Sequence, residues 1–102
     1  MGNKILVVIK EPGRPARVEP LFDNTLESFQ KAVGGYIETV TIAPDFVIIC
    51  NEEGRLKNLP NNTRICGIDF VGTIVACGTK ADDFSSLKSF MVPSVMRMMG
   101  IS

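Results

Sequence analysis

The chain has no histidine and no tryptophan, a single tyrosine and three cysteines among its 102 residues. Without imidazole there is no Ser-His or Cys-His nucleophile, no histidine general base and no imidazole metal ligand. Any catalysis would rest on carboxylates, lysine, a lone thiol or Tyr36. Cys50, Cys66 and Cys77 are odd in number, widely spaced and without a C-x-x-C pair, poor material for a disulfide framework or a zinc site. Each lies in or beside an apolar run, so the expectation is reduced thiols, at least two of them buried.

Net charge is also missing. Eleven basic and eleven acidic residues cancel, so no global field draws the chain toward nucleic acid or an anionic membrane. No apolar run approaches the roughly 18–20 residues of a membrane-spanning helix. The run Ile5–Ile9 is followed by Lys10-Glu11-Pro12 rather than by a cleavage site, and the expected location is the cytoplasm.

What is there suits one domain with one core. Lys4–Ile9 reads as a buried strand, Pro12-Gly13 as a turn, and Arg17–Leu21 as a short strand antiparallel to the first, which Pro20 either places at an edge or terminates. Asn24 with Glu27 resembles a capping box, and Leu26, Phe29 and Val33 follow at helical spacing up to the stop at Gly34-Gly35. Tyr36–Ile42 alternates with period two, and Phe46–Cys50 is a second buried run. Arg64–Ile68 and Thr73–Gly78 read as further strands. The chain then predicts a helix begun by Asp82 or Asp83 through Leu87 and Lys88, and a last helical stretch over Ser94–Met99. The expected fold is α+β: a largely antiparallel or mixed sheet of about five strands with two helices packed on one face.

The stretch Asn51-Glu52-Glu53-Gly54-Arg55 is the most chemical in appearance. On a strand its adjacent carboxylates would point to opposite faces, and in a turn both would stand in water without the burial a general acid needs. The preferred reading is a hairpin turn with Gly54 in the left-handed conformation. Gly34-Gly35 follows a helix rather than preceding one, so it is a helix stop and not a phosphate loop.

Lys10, Arg14 and Arg17 in one loop region, with Arg55, Lys57 and Arg64 in another, would make a basic face if the two met. Neither loop carries an aromatic for base stacking, and glutamates dilute both, which argues against nucleic acid. Candidate binding residues are Arg14, Asn51, Glu52, Glu53, Arg55 and Arg64; no catalytic residue, metal ligand or cofactor is assigned. Four of the five methionines gather in Met91–Met99, a lid for the core or a surface for a partner.

The blocks ILVVIKEPGRPARVEPL, NTLESFQKAVGGYIETV, ICNEEGRLKNLPNN and FVGTIVACG resemble those of a small uncharacterised family, domain-of-unknown-function family 3846. The resemblance spans residues 4–79 and leaves residues 80–102 as a helical tail. It implies a bacterial domain of Gram-positive hosts, their plasmids and phages, and brings no activity with it.

The expected function is a non-enzymatic intracellular binding or accessory module acting through an unidentified protein partner. The alternative is a small-ligand or nucleotide-binding regulatory domain, and a carboxylate enzyme using Glu52 or Glu53 ranks below both. Because Thr73–Cys77 carries no proline or lysine, it reads as an unprotected sheet edge, covered by the tail or by a second copy in a homodimer.

Overall fold

A computed structural model of the chain describes residues 3–81 and 83–100. The elements in order are β1 (Lys4–Lys10), β2 (Arg17–Asp23), α1 (Leu26–Val33), β3 (Ile37–Ala43), β4 (Phe46–Asn51), β5 (Asn61–Ile65), β6 (Ile68–Val71), β7 (Ile74–Lys80), β8 (Asp83–Ser85), a 3-10 turn at Ser89–Met91 and α2 (Val92–Met99). The main sheet runs β2-β1-β7-β4-β3, with β8 alongside the end of β7, and every described pairing is antiparallel. β5 and β6 form a separate ribbon. The α+β class therefore holds, with a sheet of six strands.

The alternation along β4 explains the layering. Phe46, Ile48 and Cys50 enter one cluster with Val8, Ala76, Phe70, Val95 and Met99. Val47 and Ile49 enter the other, with Ile5, Val7, Ile9, Phe29 and Val33. Successive strand residues face opposite ways, so α1 covers one face and α2 with the β5–β6 ribbon covers the other. The two helices thus lie on opposite faces, not on one as the sequence suggested. β4 and β7 are apolar on both sides because both sides are covered.

β7 is the centre of the sheet, between β1 and β4, so Thr73–Cys77 is not an edge. Its continuous apolar run marked burial on two faces, which belongs to an interior strand. The edges are β2 and β3. The tail α2 covers a face rather than an edge.

The expected helix over Asp83–Lys88 is instead β8 and an extended segment; Asp82 lies outside the described residues. β8 wedges in where β1 leaves β7: the Leu6 N–H donates to Ser86 Oγ at 2.9 Å, and the Leu87 N–H donates to the Leu6 carbonyl at 2.9 Å. Gly78 makes this possible, since a Cβ there would stand 2.5 Å from the Ser86 carbonyl oxygen.

α1 starts one residue later than its capping signal implied. Thr25 is the N-cap and accepts from the Ser28 N–H at 3.1 Å. Asn24 is buried instead and donates to the Phe84 carbonyl at 2.9 Å, tying the helix start to β8. Gly34 ends the helix in the left-handed conformation, φ +81°, as expected. Arg64–Ile68 is not one strand: Cys66 (φ +50°) and Gly67 (φ +79°) turn the chain between β5 and β6. Two consecutive left-handed residues make the tight turn favoured in hairpins, and a cysteine in the first position concealed it.

Candidate functional site

One of several clefts in the molecule lies on the α2 side of the sheet, near β3. Here β6 packs over β4, and the segment 52–59 closes the end in a series of turns. Between them is a cleft of about 250 Å³ whose lining includes Glu38 and Val40 from β3, Cys50 from β4, Glu52, Arg55 and Leu56 from the turns, and Ile68, Asp69 and Phe70 from β6.

Asn51 builds the floor. It is buried, its Nδ2 donates to the Val33 carbonyl at 3.1 Å, and its Oδ1 accepts from the Glu53 N–H at 2.8 Å. One amide thus satisfies an orphan carbonyl in the last turn of α1 and fixes the first turn after β4. The Glu52 N–H donates to the Tyr36 carbonyl at 2.8 Å in the same place. Asn51 lies so close to Gly35 that a Cβ there would meet Nδ2 at 2.9 Å. The two sequence blocks around Val33–Glu38 and Asn51–Asn62 therefore meet in space.

The turn segment is not a hairpin loop, because β4 pairs with β3 and β7 while β5 pairs with β6. It coils helically: the Lys57 N–H donates to the Glu53 carbonyl at 2.9 Å, and the Leu59 N–H to the Gly54 carbonyl at 3.0 Å. Gly54 is not left-handed, contrary to expectation. It is glycine because a Cβ would meet Val71 Cγ2 at 2.8 Å, so the requirement is close packing on the end of β6.

Among the predicted site residues, Asn51, Glu52 and Arg55 line the cleft. The Arg55 Nη2 donates to the Asp69 carbonyl at 2.6 Å and clips the turns to the open edge of β6. Glu53 points elsewhere and pairs with Lys57 at 3.7 Å. Arg64 makes a two-pronged contact with the Asp69 carboxylate, at 3.1 and 3.0 Å, across the ribbon from β5. Arg14 stays exposed in the β1–β2 loop, its backbone N–H donating to the Glu11 carbonyl at 3.1 Å, and lies outside the cleft lining.

The conjectured basic face does not form. Lys10 is only 1% exposed, with Nζ 3.4 Å from the Glu11 carbonyl, and Arg17 is paired with Glu11 at 2.8 Å.

Sequence reading missed Glu38, Leu56, Ile68 and Asp69. Leu56 is the sharpest omission: it is 83% exposed at the cleft rim. Its signal was an apolar residue set between Arg55 and Lys57 in a polar loop. Ile68 is exposed beside it on β6.

The cleft lining carries Glu38, Glu52, Asp69 and Arg55, and Arg64 neutralises the Asp69 carboxylate, so the excess negative charge rests on Glu38 and Glu52. The Cys50 thiol in the wall is pushed up to about 11, first by burial and then by Glu38, which favours the protonated thiol at neutral pH. On the opposite face, burial pushes Cys77 up to about 12. All three cysteines are free, with Cys66 exposed at its turn. No group of three or more potential metal ligands gathers among the described residues, and no helix there is long and apolar enough to cross a membrane.

Comparison with curated proteins and with solved structures gives no match. A family model does match, over residues 4–100, running through β8 and α2 beyond the span of the earlier resemblance. The chain belongs to the family described as Domain of unknown function (DUF3846).

Proposed function

We propose that the chain is a non-enzymatic binding module that holds a protein partner in the cleft between β6 and the 52–59 turns. The partner presents a lysine or arginine beside an apolar side chain. The observation that carries this reading is Leu56, a large apolar residue 83% exposed at the rim of a cleft that also holds Glu38 and Glu52, carboxylates with no ion-pair partner among the described residues. Exposed apolar surface rimmed by polar groups is what recognition sites offer, and excess negative charge selects a cation over an anion.

A nucleotide fits this cleft poorly. Its phosphates would face Glu38 and Glu52, and a volume of about 250 Å³ lies below the ordinary range for small-molecule sites. The unpaired thiols suit a reducing compartment, and the reading places the module in the cytoplasm.

The test is selection from a displayed random-peptide library on the wild-type chain and on the double variant Glu52→Arg/Leu56→Asp. Enriched peptides carrying a basic residue next to an apolar one, lost on the variant, are the expected result. Equal enrichment on both proteins overturns the reading. Saturable nucleotide binding weakened by Arg14→Ala or Arg64→Ala would replace it with a nucleotide-binding domain.

A further inference from the structure

The two edges of the main sheet are guarded differently. β2 carries Pro20, a bulge opposite Leu6, and the charges of Arg17, Glu19 and Asp23, with Asp23 paired to Lys4 and Arg17 to Glu11. These are the devices by which natural edges refuse a further strand. β3 reads Ile37-Glu38-Thr39-Val40-Thr41-Ile42-Ala43, with no proline, no lysine and one charge, and its bulge lies beyond Thr41. Ile37–Thr41 is therefore a regular, nearly uncharged edge rich in β-branched residues.

The direction of its free backbone groups follows from the ladder. The Glu52 N–H donates to the Tyr36 carbonyl, and β3 pairs with β4 as Ile37↔Asn51 and Glu38↔Cys50. Position 36 is thus bonded inward, and so by alternation are 38 and 40. The N–H and C=O groups of Ile37, Thr39 and Thr41 point away from the sheet, with no backbone partner among the described residues.

We infer that this edge receives a second copy of the chain, β3 against β3, antiparallel about a two-fold axis at Thr39. In this register Thr39 meets the other copy's Thr39, and Ile37 meets its Thr41. Every outward group of the regular run then finds an outward group, and the run ends where the bulge begins. Glu38 faces the other copy's Val40 and not its Glu38, while the Thr39–Thr39 neighbours at the axis are a favourable cross-strand pair. A register shifted one pair further toward Ile37 would set the two Glu38 carboxylates directly opposite each other. A two-fold contact of this kind is self-complementary and closed, so assembly stops at two. Since Glu38 and Val40 also line the cleft, the pairing sets the two clefts side by side on one face. The pairing rests on the edge alone and stands whether or not the cleft binds a peptide.

The test is sedimentation equilibrium of the full chain over a concentration series reaching the millimolar range, since a contact this small is weak. Thr39→Pro removes an N–H that faces solvent in the monomer and the partner in the dimer, leaving the β3–β4 ladder intact. The expected result is a reversible wild-type dimer whose dissociation constant rises at least roughly tenfold in the variant, with the circular dichroism spectrum kept. Should Thr39→Pro not fold, Thr41→Lys at an exposed position weakens the same contact through an edge charge. A wild-type chain that stays monomeric throughout overturns the inference. So does a dimer that the edge substitutions leave unchanged.

Discussion

The two faces of the sheet are built from the same strands and closed in different ways. On one, α1 lays Phe29 and Val33 onto Ile5, Val7, Ile49 and Val75. Phe29 is fully buried, with ring centroids 4.9 Å from Phe22 and 5.0 Å from Phe84. On the other, α2 and a two-stranded ribbon share the cover, and the ribbon leaves a gap over β3 and the end of β4 that the 52–59 turns only rim. A helix with an apolar stripe covers the middle of a sheet face and leaves a shallow hollow beside β2, while a narrow ribbon joined by turns leaves a cleft over β3. The α1 face supplies most of the aromatic packing, and the ribbon face holds the cleft on which the proposed function rests.

The largest expected effect comes from deleting an aromatic on each face. Phe29→Ala should cost about 3–5 kcal/mol, in the range for a large ring lost from a closed site. Phe70 is buried but lines the cleft, so its site borders an existing opening. Phe70→Ala should cost less by about 1 kcal/mol or more, because the cavity it leaves joins an existing one. Equal losses in urea unfolding would remove the distinction between the faces.

Glycines sharpen it next. Gly78→Ala drives a Cβ to 2.5 Å from a backbone carbonyl of the β8 segment, which cannot move without unpairing from Leu6. About 2 kcal/mol is expected. Gly54→Ala clashes with the end of the Val71 side chain at 2.8 Å, with the Asn51 carbonyl at an ordinary 3.4 Å, and about 1 kcal/mol is expected. A Gly54 variant that is the more damaging of the two would show the turns to be as rigid as the sheet.

Each face also holds a thiol, Cys77 under α1 and Cys50 beside the cleft. Both are raised above the ordinary 9.0, to about 12 and about 11. The unfolded chain therefore loses these protons first as pH rises, and stability falls from about pH 9 upward until the folded thiols ionise as well. The thermal midpoint should be insensitive to these groups below pH 9 and decline above it. At neutral pH a thiol reagent should label Cys66 rapidly and the other two slowly. Smallest of all, Leu56→Ala should leave stability within about 0.5 kcal/mol, since an exposed rim residue contributes little to folding.

Much of this fold was legible because its signals are local. Period two in Tyr36–Ile42, continuous apolar runs in Lys4–Ile9 and Phe46–Cys50, and the glycine stop after Val33 each act within one element. What was hidden depended on contacts between distant segments. Gly54 looked like a turn glycine, but Val71 is what forbids a side chain there. Gly78 looked like a strand end, but Ser86 presses against it. Asp83–Ser85 forms a strand because β1 and β7 diverge and leave backbone groups to be paired. Of the site, Asn51, Glu52 and Arg55 were readable as a polar cluster, whereas Glu38 and Asp69 join it only through the sheet register and the ribbon's turn.

The most direct measurement of the central claim is an amide chemical-shift map of the chain titrated with N-acetyl-lysine methylamide, a minimal basic side chain. The account predicts saturable shifts confined to Glu38–Val40, Cys50–Leu56 and Ile68–Val71, with the α1 face silent and the shifts abolished in Glu52→Arg. Shifts centred on Arg14 and the β1–β2 loop, or spread evenly over both faces without saturation, would contradict it.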